Sequence, residues 1–104
     1  MSKENEDNIA YLCQDCARQP DPFYATLRPD TFINKWVKVR FPVKNHDKVK
    51  SEVMWVHVFA AADNGLLFGN LDNDPIYETG LVCGQCVTCK TSEIIEVMEK
   101  EEAP

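Results

Sequence analysis

The 104-residue sequence lacks the features that identify most membrane proteins and most enzymes. Its longest apolar stretch, residues 53–62, is interrupted by His57 and falls short of the roughly 18 residues that a membrane-spanning helix needs. It contains neither a glycine-rich phosphate loop nor the short motifs of serine hydrolases and zinc proteases. Of its two histidines, His46 lies in a polar loop and His57 in an apolar strand, so we expect no nucleophile, base and orienting group to meet. We therefore predict no catalytic residue, no cofactor and no enzymatic activity.

Size and charge further restrict the class of protein to which the chain can belong. A chain of 104 residues with 44% hydrophobic residues is expected to fold as a single domain over residues 1–104. The net charge of −6 argues against a general nucleic-acid binder. Residues 1–7 are polar and acidic, unlike a secretory signal, and this predicts a soluble, cytoplasmic protein with no membrane partner.

The charges are concentrated in two stretches. Residues 35–50 contain six basic residues and one acidic residue, whereas residues 93–104 contain five glutamates and one lysine. The basic stretch 35–50 fits either a surface for an anion or acidic partner, or the solvent-facing side of a strand pair. The acidic stretch is most simply a solubilising chain end.

The beginning of the chain has a helical pattern. In the segment 1–20, four apolar residues fall on one helical stripe, and the prolines that follow end it: Ile9, Cys13, Cys16 and Ala17, then Pro20 and Pro22. Asp21 and Pro22 have the sequence of an N-cap followed by proline at the first helical position, which predicts a short turn as far as Leu27.

In the middle of the chain the hydrophobic residues recur at every second position, which predicts a sheet over residues 35–90. In the first strand, apolar residues alternate with mostly polar residues, which begin at Trp36. The apolar residues are Val37, Val39, Phe41 and Val43. The strand 52–60 is apolar on both faces and is therefore expected to be central and covered on both sides. The hairpin turn 63–65 leads into a third strand, residues 66–71, in which Gly69 indicates a bulge or a close-packing point.

The end of the chain is predicted to contain a short strand and a helix. Gly84 and Gln85 have the residue types of a turn into a strand at residues 86–89. Residues 92–102 are expected to form a C-terminal helix capped by Ser92 and continuing into an acidic tail. The predicted fold is α+β, with an antiparallel meander of about four strands flanked by an N-terminal and a C-terminal helix.

An ordered series of residues in the middle of the chain resembles a bacterial family. The series is Val53-Met54-Trp55-Val56, the strand and turn 67–75 ending in Asn73-Asp74-Pro75, then Gly84-Gln85-Cys86-Val87 and the isoleucines near residue 95. It resembles the YegJ-like family of domains of unknown function over roughly residues 36–98. Gln85 and Glu96-Val97 depart from the family pattern, and the cysteines are particular to this chain. The resemblance supports the sheet and implies an immunity-like or other protein-binding role, while core and turn chemistry explain the same residues without a ligand.

Five cysteines form two groups, Cys13-x-x-Cys16 and Cys83-x-x-Cys86-x-x-Cys89. Two Cys-x-x-Cys pairs can supply four thiolates to a tetrahedral zinc ion, although the 66 residues between Cys16 and Cys83 exceed the spacing of ordinary zinc ribbons. Cys89 is expected to be a small buried residue and not a fifth ligand. A thioredoxin-like site would require a helix after the motif, and a disulfide framework is disfavoured by the odd number of cysteines.

Three hypotheses for function follow. The leading one is a small non-enzymatic module that binds a protein partner, because the domain lacks catalytic residues and carries separate basic and acidic surfaces. The alternative is a zinc-stabilised structural or regulatory protein that uses Cys13, Cys16, Cys83 and Cys86. The third, nucleic-acid binding through the basic stretch 35–50, would show a steep dependence on salt.

Overall fold

The protein is described by a computed structural model, which defines the structure of residues 18–99. These residues form one five-stranded, fully antiparallel sheet with the strand order β4-β3-β2-β1-β5. Three short 3-10 turns, Pro22–Thr26, Pro29–Phe32 and Thr91–Glu93, lie outside the sheet. The strands are β1 (Trp36–Pro42), β2 (Ser51–Ala61), β3 (Leu66–Leu71), β4 (Cys86–Lys90) and β5 (Glu96–Met98).

The predicted α+β class is wrong for the described part of the chain. Residues 18–99 contain five strands and no α-helix, so the fold is mostly β. The predicted N-terminal helix falls almost entirely on residues outside the described range. The short turn expected to follow it is confirmed as a 3-10 turn, in which the Asp21 carboxylate accepts a hydrogen bond from the Phe23 N–H at 3.0 Å.

The predicted C-terminal helix is also wrong over the residues that the structure describes. A single 3-10 turn ends at Glu93, the chain becomes extended at Ile94, and β5 then pairs with β1. Ile94 and Ile95 are both buried although they are adjacent, and the Ile95 N–H donates to the Lys38 carbonyl at 2.8 Å. The β-branched residues favour extended backbone, and the free edge of β1 offers hydrogen-bond partners that an isolated terminal helix would lack.

The hydrophobic core lies against one face of the sheet, here called the buried face. Its side chains come from alternate positions of the strands and from the segments that cover them, with Phe32 of the second 3-10 turn packed against β2 and β3. The alternation predicted for β1 is confirmed. The core residues are Phe32, Val37, Val39, Phe41, Met54, Val56, Val58, Leu67, Leu71, Val87, Cys89 and Ile94.

The β2–β3 hairpin shows two of the predicted glycine roles. Gly65 ends the turn with φ +91°, a conformation that glycine adopts without steric cost. Gly69 lies where a side chain would not fit between β3 and β2, because a Cβ there would be 2.5 Å from Val56 Cγ1 and 2.6 Å from the His57 carbonyl oxygen. The register between the strands shifts next to this contact, between Val58 and Ala60. Gly69 is therefore a close-packing point beside a bulge.

The position of β2 is confirmed in part. It is the middle strand of the sheet, as its apolar sequence predicts. Of its two faces, the one that contains Met54 and Val56 is buried, whereas Val53, Trp55 and His57 on the other remain partly exposed. Among residues 18–99 there is also no helix long and apolar enough to cross a membrane.

Candidate functional site

The face of the sheet opposite the core, here called the open face, carries a group of aromatic and charged side chains that contact one another. The strand register places these residues in rows across the sheet, with Trp36 opposite His57 and Lys38 opposite Trp55. Phe59, the extra residue at the bulge, is 49% exposed at the margin of this face. The open face consists of Trp36, Lys38, Arg40, Val53, Trp55, His57, Leu66, Phe68, Asn70, Cys86, Thr88, Lys90, Glu96 and Met98.

Trp36 lies across the open face and joins three strands. Its indole ring stacks on the imidazole of His57, with a centroid distance of 4.2 Å and an interplanar angle of 7°. Its Nε1–H donates to Asp72 Oδ2 at 2.7 Å, just after the end of β3. A side chain held at both its face and its edge loses little further entropy when another molecule binds. Trp36 is thus a preorganised aromatic surface.

A row of charges borders the second tryptophan. Lys38 Nζ lies 4.7 Å from the centroid of the Trp55 ring and 3.4 Å from Glu96 Oε1. The same carboxylate oxygen accepts a hydrogen bond from Arg18 Nη1 at 2.8 Å. The hydrogen bond from Arg18, followed by the charge of Lys38, lowers the pKa of Glu96 below its ordinary value of 4.5. The Glu96 carboxylate is therefore ionised at neutral pH.

The two charged stretches identified in the sequence are neighbours and not separate surfaces. Pairing of β5 with β1 brings Glu96 to Lys38 and Glu99 to Lys35, where the Nζ–Oε2 distance is 3.3 Å. The backbone N–H of Lys44 donates to the Glu78 carbonyl at 2.7 Å. The basic stretch 35–50 is divided between β1 and the loop that joins it to β2.

The segment that carries the family resemblance, residues 67–75, forms the exit from β3. The Asp72 N–H donates to the Trp55 carbonyl at 2.9 Å, and the Asn73 side-chain oxygen accepts from the Trp55 N–H at 2.5 Å. The N–H and the carbonyl of Trp55 therefore both have hydrogen-bond partners in the residues that follow β3. These residues have a structural role, and they also place Asp72 where it receives the Trp36 indole.

A buried carboxylate holds the loop that follows. Glu52 is 5% exposed, and its two oxygens accept from the Ile76 and Tyr77 N–H groups at 2.8 and 3.0 Å. In the loop between β1 and β2, His46 has a similar role: its Nδ1 accepts from the Lys48 and Val49 N–H groups. Glu52 and His46 organise backbone, and neither is placed beside the open face.

The cysteines of the described range do not converge. Cys83 and Cys86 are exposed, whereas Cys89 is buried at the core, as the sequence predicts. Burial, followed by the charge of Glu93, raises the pKa of the Cys89 thiol to about 12. Within residues 18–99 there is no group of three or more histidine, cysteine, aspartate or glutamate side chains that could hold a metal ion. Cys13 and Cys16, the other half of the predicted zinc set, lie outside the described residues.

One surface cleft of about 380 Å³ lies at the other end of the hairpin, lined by Arg28, Pro29, Asp30, Ala61, Ala62 and Asp63. Two of its charged groups are paired with each other, since Arg28 bonds the Asp30 carboxylate through two contacts of 3.3 Å. That hydrogen bond and the charge of Asp30 raise the pKa of Arg28. The charged side chains of the cleft are the paired Arg28 and Asp30 together with Asp63, and its remaining lining is apolar.

The aromatic group on the open face was not identified as a site from the sequence. Trp36 was placed on the mostly wet face of its strand, and Trp55 was interpreted as a core aromatic. The stack of Trp36 on His57 depends on the pairing register of β1 and β2, which hydrophobic alternation alone does not determine. The available signal was the apolar outer face of β2, which is unusual for a sheet exposed on one side.

Comparison with known proteins places the chain in a family. A search of curated proteins and a search of solved structures each found no match. A family of uncharacterised proteins conserved in bacteria, DUF2314, matches residues 30–103 and so includes all five strands. The chain belongs to the DUF2314 family.

Proposed function

We propose that this chain is a non-enzymatic module that binds a protein partner through the open face of its sheet. The observation that supports this most strongly is the preorganised group of Trp36, His57 and Trp55 on a face that the described residues leave partly exposed. Buried aromatic residues provide most of the binding energy in many protein interfaces. A partly exposed group of aromatic side chains on a small domain is more typical of a binding surface than of an ordinary solvent-exposed surface.

The composition of the open face favours a protein as the partner. It combines aromatic rings with a lysine, an arginine and a glutamate at one border, which suits an apolar centre with a polar rim. The pairing of Lys38 with Glu96 reduces the net positive field that a nucleic acid would need. Nucleic acid is therefore disfavoured as the ligand.

The non-enzymatic part of the proposal is supported by what the ionisable side chains do. His46 uses its Nδ1 to accept two backbone hydrogen bonds, and His57 stacks against Trp36. The buried Cys89 thiol stays protonated at neutral pH and is a poor nucleophile. These side chains make structural contacts, so they are not arranged as catalytic groups. This supports a role in binding and not in catalysis.

The proposal has two finer parts that come from the sequence. We assign the chain to the YegJ-like branch of its family, with a cytoplasmic location and an immunity-like mode of action, in which a small domain blocks or stabilises another protein. The family branch and the mode of action are supported by the resemblance of residues 36–98.

The test is a comparison of proteins captured from a lysate of the source bacterium. The bait variant Trp55→Ser/Phe59→Ser removes two aromatic side chains from the open face and its margin. The matched control, Phe23→Ser/Ile76→Ser, removes two exposed apolar side chains outside the sheet, which are 59% and 79% exposed. We expect one protein to be retained by the wild type and the control and lost with the open-face variant. Equal retention by all three baits would contradict the proposal.

A further inference from the structure

We propose that the free edge of β4 pairs with the same edge of a second copy of this chain, so that two domains join into one continuous antiparallel sheet. The inference goes beyond the proposed function and does not depend on it, because it concerns the edge of the sheet and not the open face. Three observations support it: the direction of the backbone groups of β4, the residue types along its edge, and the match between this edge and itself.

The hydrogen bonds at the two ends of the β3–β4 pairing show which backbone groups of β4 point towards β3. At one end the Leu71 N–H donates to the Gln85 carbonyl at 2.8 Å, and at the other end the Thr91 N–H donates to the Gly65 carbonyl at 3.0 Å. Both bonds follow the register of the strand pair. In an antiparallel pair, hydrogen-bonded positions alternate with positions whose N–H and C=O groups point away from the neighbouring strand. The odd-numbered residues of β4 therefore bond β3.

The even-numbered residues of β4, Cys86, Thr88 and Lys90, direct their N–H and C=O groups away from the sheet. Lys90 agrees with this, because its N–H donates to the Glu93 carboxylate at 2.8 Å and not to β3. Among the hydrogen bonds within residues 18–99, none involves the N–H or C=O groups of Cys86 and Thr88. The edge of β4 thus leaves the donors and acceptors of these two residues available for another strand.

The residue types along this edge do not protect it from pairing. Edge strands are usually short or carry lysine or proline, which prevent two sheets from joining. At the opposite edge, β5 is such a short strand, with three residues. By contrast, β4 has five residues, and its segment 86–88 contains neither a charge nor a proline. The Glu93 carboxylate covers the edge only at Lys90, so the open part of the edge is residues 86–88.

The open part of the edge is complementary to itself. When a two-fold axis passes between the copies beside Val87, Cys86 of each copy lies opposite Thr88 of the other, and each of these pairs can exchange two hydrogen bonds. The outward groups of both residues are then satisfied in both copies. Val87 lies opposite its own counterpart, and β-branched residues in such cross-strand pairs favour association. A second copy therefore supplies the hydrogen-bond partners that this edge lacks.

The charged residue of β4 does not oppose this pairing. In the same register Lys90 lies opposite Gly84 of the second copy, so that like charges do not face each other. The space around Gly84 is open, because a Cβ built there would meet no atom within 4 Å. Since the two-fold axis is perpendicular to the sheet, the open faces of both copies lie on the same side of the joined sheet.

The first test is the mass of the purified chain in solution, measured by sedimentation equilibrium between about 5 µM and about 1 mM. The paired segment is short, so we expect a weak dimer with a dissociation constant of about 0.1 mM. Thr88→Pro removes the outward N–H without removing a hydrogen bond to β3, and proline is tolerated at edge positions of this kind. We expect this variant to remain a monomer. The matched control Thr88→Val keeps the N–H and the β-branched shape, and we expect it to dimerise like the wild type.

The second test identifies the residues that meet. In Thr88→Cys, the new thiol lies opposite Cys86 of the second copy, at a Cα separation of about 5.5 Å that a disulfide can span. Glutathione disulfide is the oxidant: the two thiols form one disulfide, and the glutathione disulfide is reduced to two glutathione thiols. We expect a covalent dimer on a non-reducing gel, and adding Cys86→Ser to this variant should abolish it.

The outcomes separate this inference from the proposed function. A wild type that stays a monomer up to about 1 mM would overturn the inference. A Thr88→Pro variant that dimerises like the wild type, or a monomeric Thr88→Val control, would also overturn it. If Thr88→Pro does not fold, the cross-link decides, because a covalent dimer that forms equally with and without Cys86 excludes the proposed register. All of these results leave the proposed function untouched, and a dimeric wild type that captures no partner would contradict only the proposed function.

Discussion

The two faces of one sheet differ in what their residues do. On the buried face, Met54, Val56 and Val58 of β2 are at most 1% exposed and pack against aliphatic side chains of the other strands. On the open face, Trp55 and His57 of the same strand contact a lysine and a second tryptophan. Successive residues of one strand therefore belong to two environments, one closed by the described chain and one available for contact.

Under the proposed function, the two faces of the sheet divide stability and binding between them. Apolar surface removed from water stabilises the domain by about 25 cal/mol per Å², so the buried face provides most of the folding free energy. The open face holds its rings with stacking and one hydrogen bond, which contribute less to folding. Substitutions on the two faces should accordingly separate stability from binding.

The largest effect is expected where the backbones of β2 and β3 meet. Gly69→Ala places a methyl group within 2.6 Å of the His57 carbonyl oxygen, so the strands must move apart. We expect unfolding free energy to fall by about 3 kcal/mol, as in other overpacked sites, measured by urea denaturation. In the control Gly84→Ala, the new Cβ meets no atom within 4 Å and only the strain of φ +91° remains. We expect a loss of about 1 kcal/mol there. An equal loss at both glycines would contradict the close contact.

The second prediction compares the two faces of β2 directly. Met54→Ala on the buried face removes a side chain that is 1% exposed, and we expect a loss of about 3 kcal/mol in unfolding free energy. Phe59→Ala, at the margin of the open face, removes a side chain that is 49% exposed, and we expect a change below about 0.5 kcal/mol. Thermal or urea denaturation measures both. If Phe59→Ala were as destabilising as Met54→Ala, the division between the faces would be wrong.

The third prediction concerns the hydrogen bond that holds Trp36. Trp36→Phe keeps an aromatic ring beside His57 and removes the donor to Asp72, so we expect a loss of about 1 kcal/mol. The matched control is Trp55→Phe, at which the structure shows no indole hydrogen bond within residues 18–99. Its smaller loss should be unaffected when Asp72 is replaced by Ala, which has no side-chain acceptor. A double-mutant cycle with Asp72→Ala that gives no coupling to Trp36→Phe would argue against the contact.

The fourth prediction is a dependence on pH. The pKa of Glu96 is lower in the folded chain than its ordinary value of 4.5, so folding is stabilised above that value. The contribution is lost as the pH falls through the folded pKa. We expect Glu96→Gln to be less stable than the wild type at pH 7, by under about 0.5 kcal/mol because exposed pairs are screened, and to match it under more acidic conditions. A difference that does not change between pH 7 and pH 3 would exclude the ion pairs with Arg18 and Lys38 as its cause.

The last prediction involves no change in stability. Cys83 and Cys86 are exposed, whereas Cys89 is buried with its thiol pKa raised to about 12. We expect iodoacetamide to modify Cys83 and Cys86 in the native protein at pH 8 and to modify Cys89 only after unfolding, as mapped by mass spectrometry of peptides. Modification of all three at one rate would indicate that the buried face opens readily.

Much of the sheet could be predicted from the sequence, and the reasons for the failures are physical. The alternation in β1, the turn at Gly65 and the close contact at Gly69 follow from local rules of strand and turn chemistry, and all three are confirmed. The prediction of a C-terminal helix was wrong because Ile94, Val97 and Met98 recur at helical spacing, whereas the β-branched residues of the same segment also favour extended backbone. Only the long-range pairing with β1 decides between the two structures.

The candidate site was less accessible to sequence reasoning. Trp36, His57 and Asp72 are far apart in the chain and meet through two strand registers and the exit of β3. No local pattern contains that information, because a one-residue slip would place His57 on the buried face. The apolar outer side of β2 was correctly recognised, but it was interpreted as covered core and not as a contact surface.

The most direct measurement is the capture comparison of the wild type with the Trp55→Ser/Phe59→Ser and Phe23→Ser/Ile76→Ser variants, each first shown to be folded. Captured proteins are quantified by mass spectrometry, and the retained protein is then purified and titrated against the same three baits. We expect this protein to bind the wild type and the control with one affinity and to bind the open-face variant at least tenfold more weakly, a difference of about 1.4 kcal/mol. Equal affinities for the three baits, or a wild type that retains no protein, would contradict a binding role for the open face.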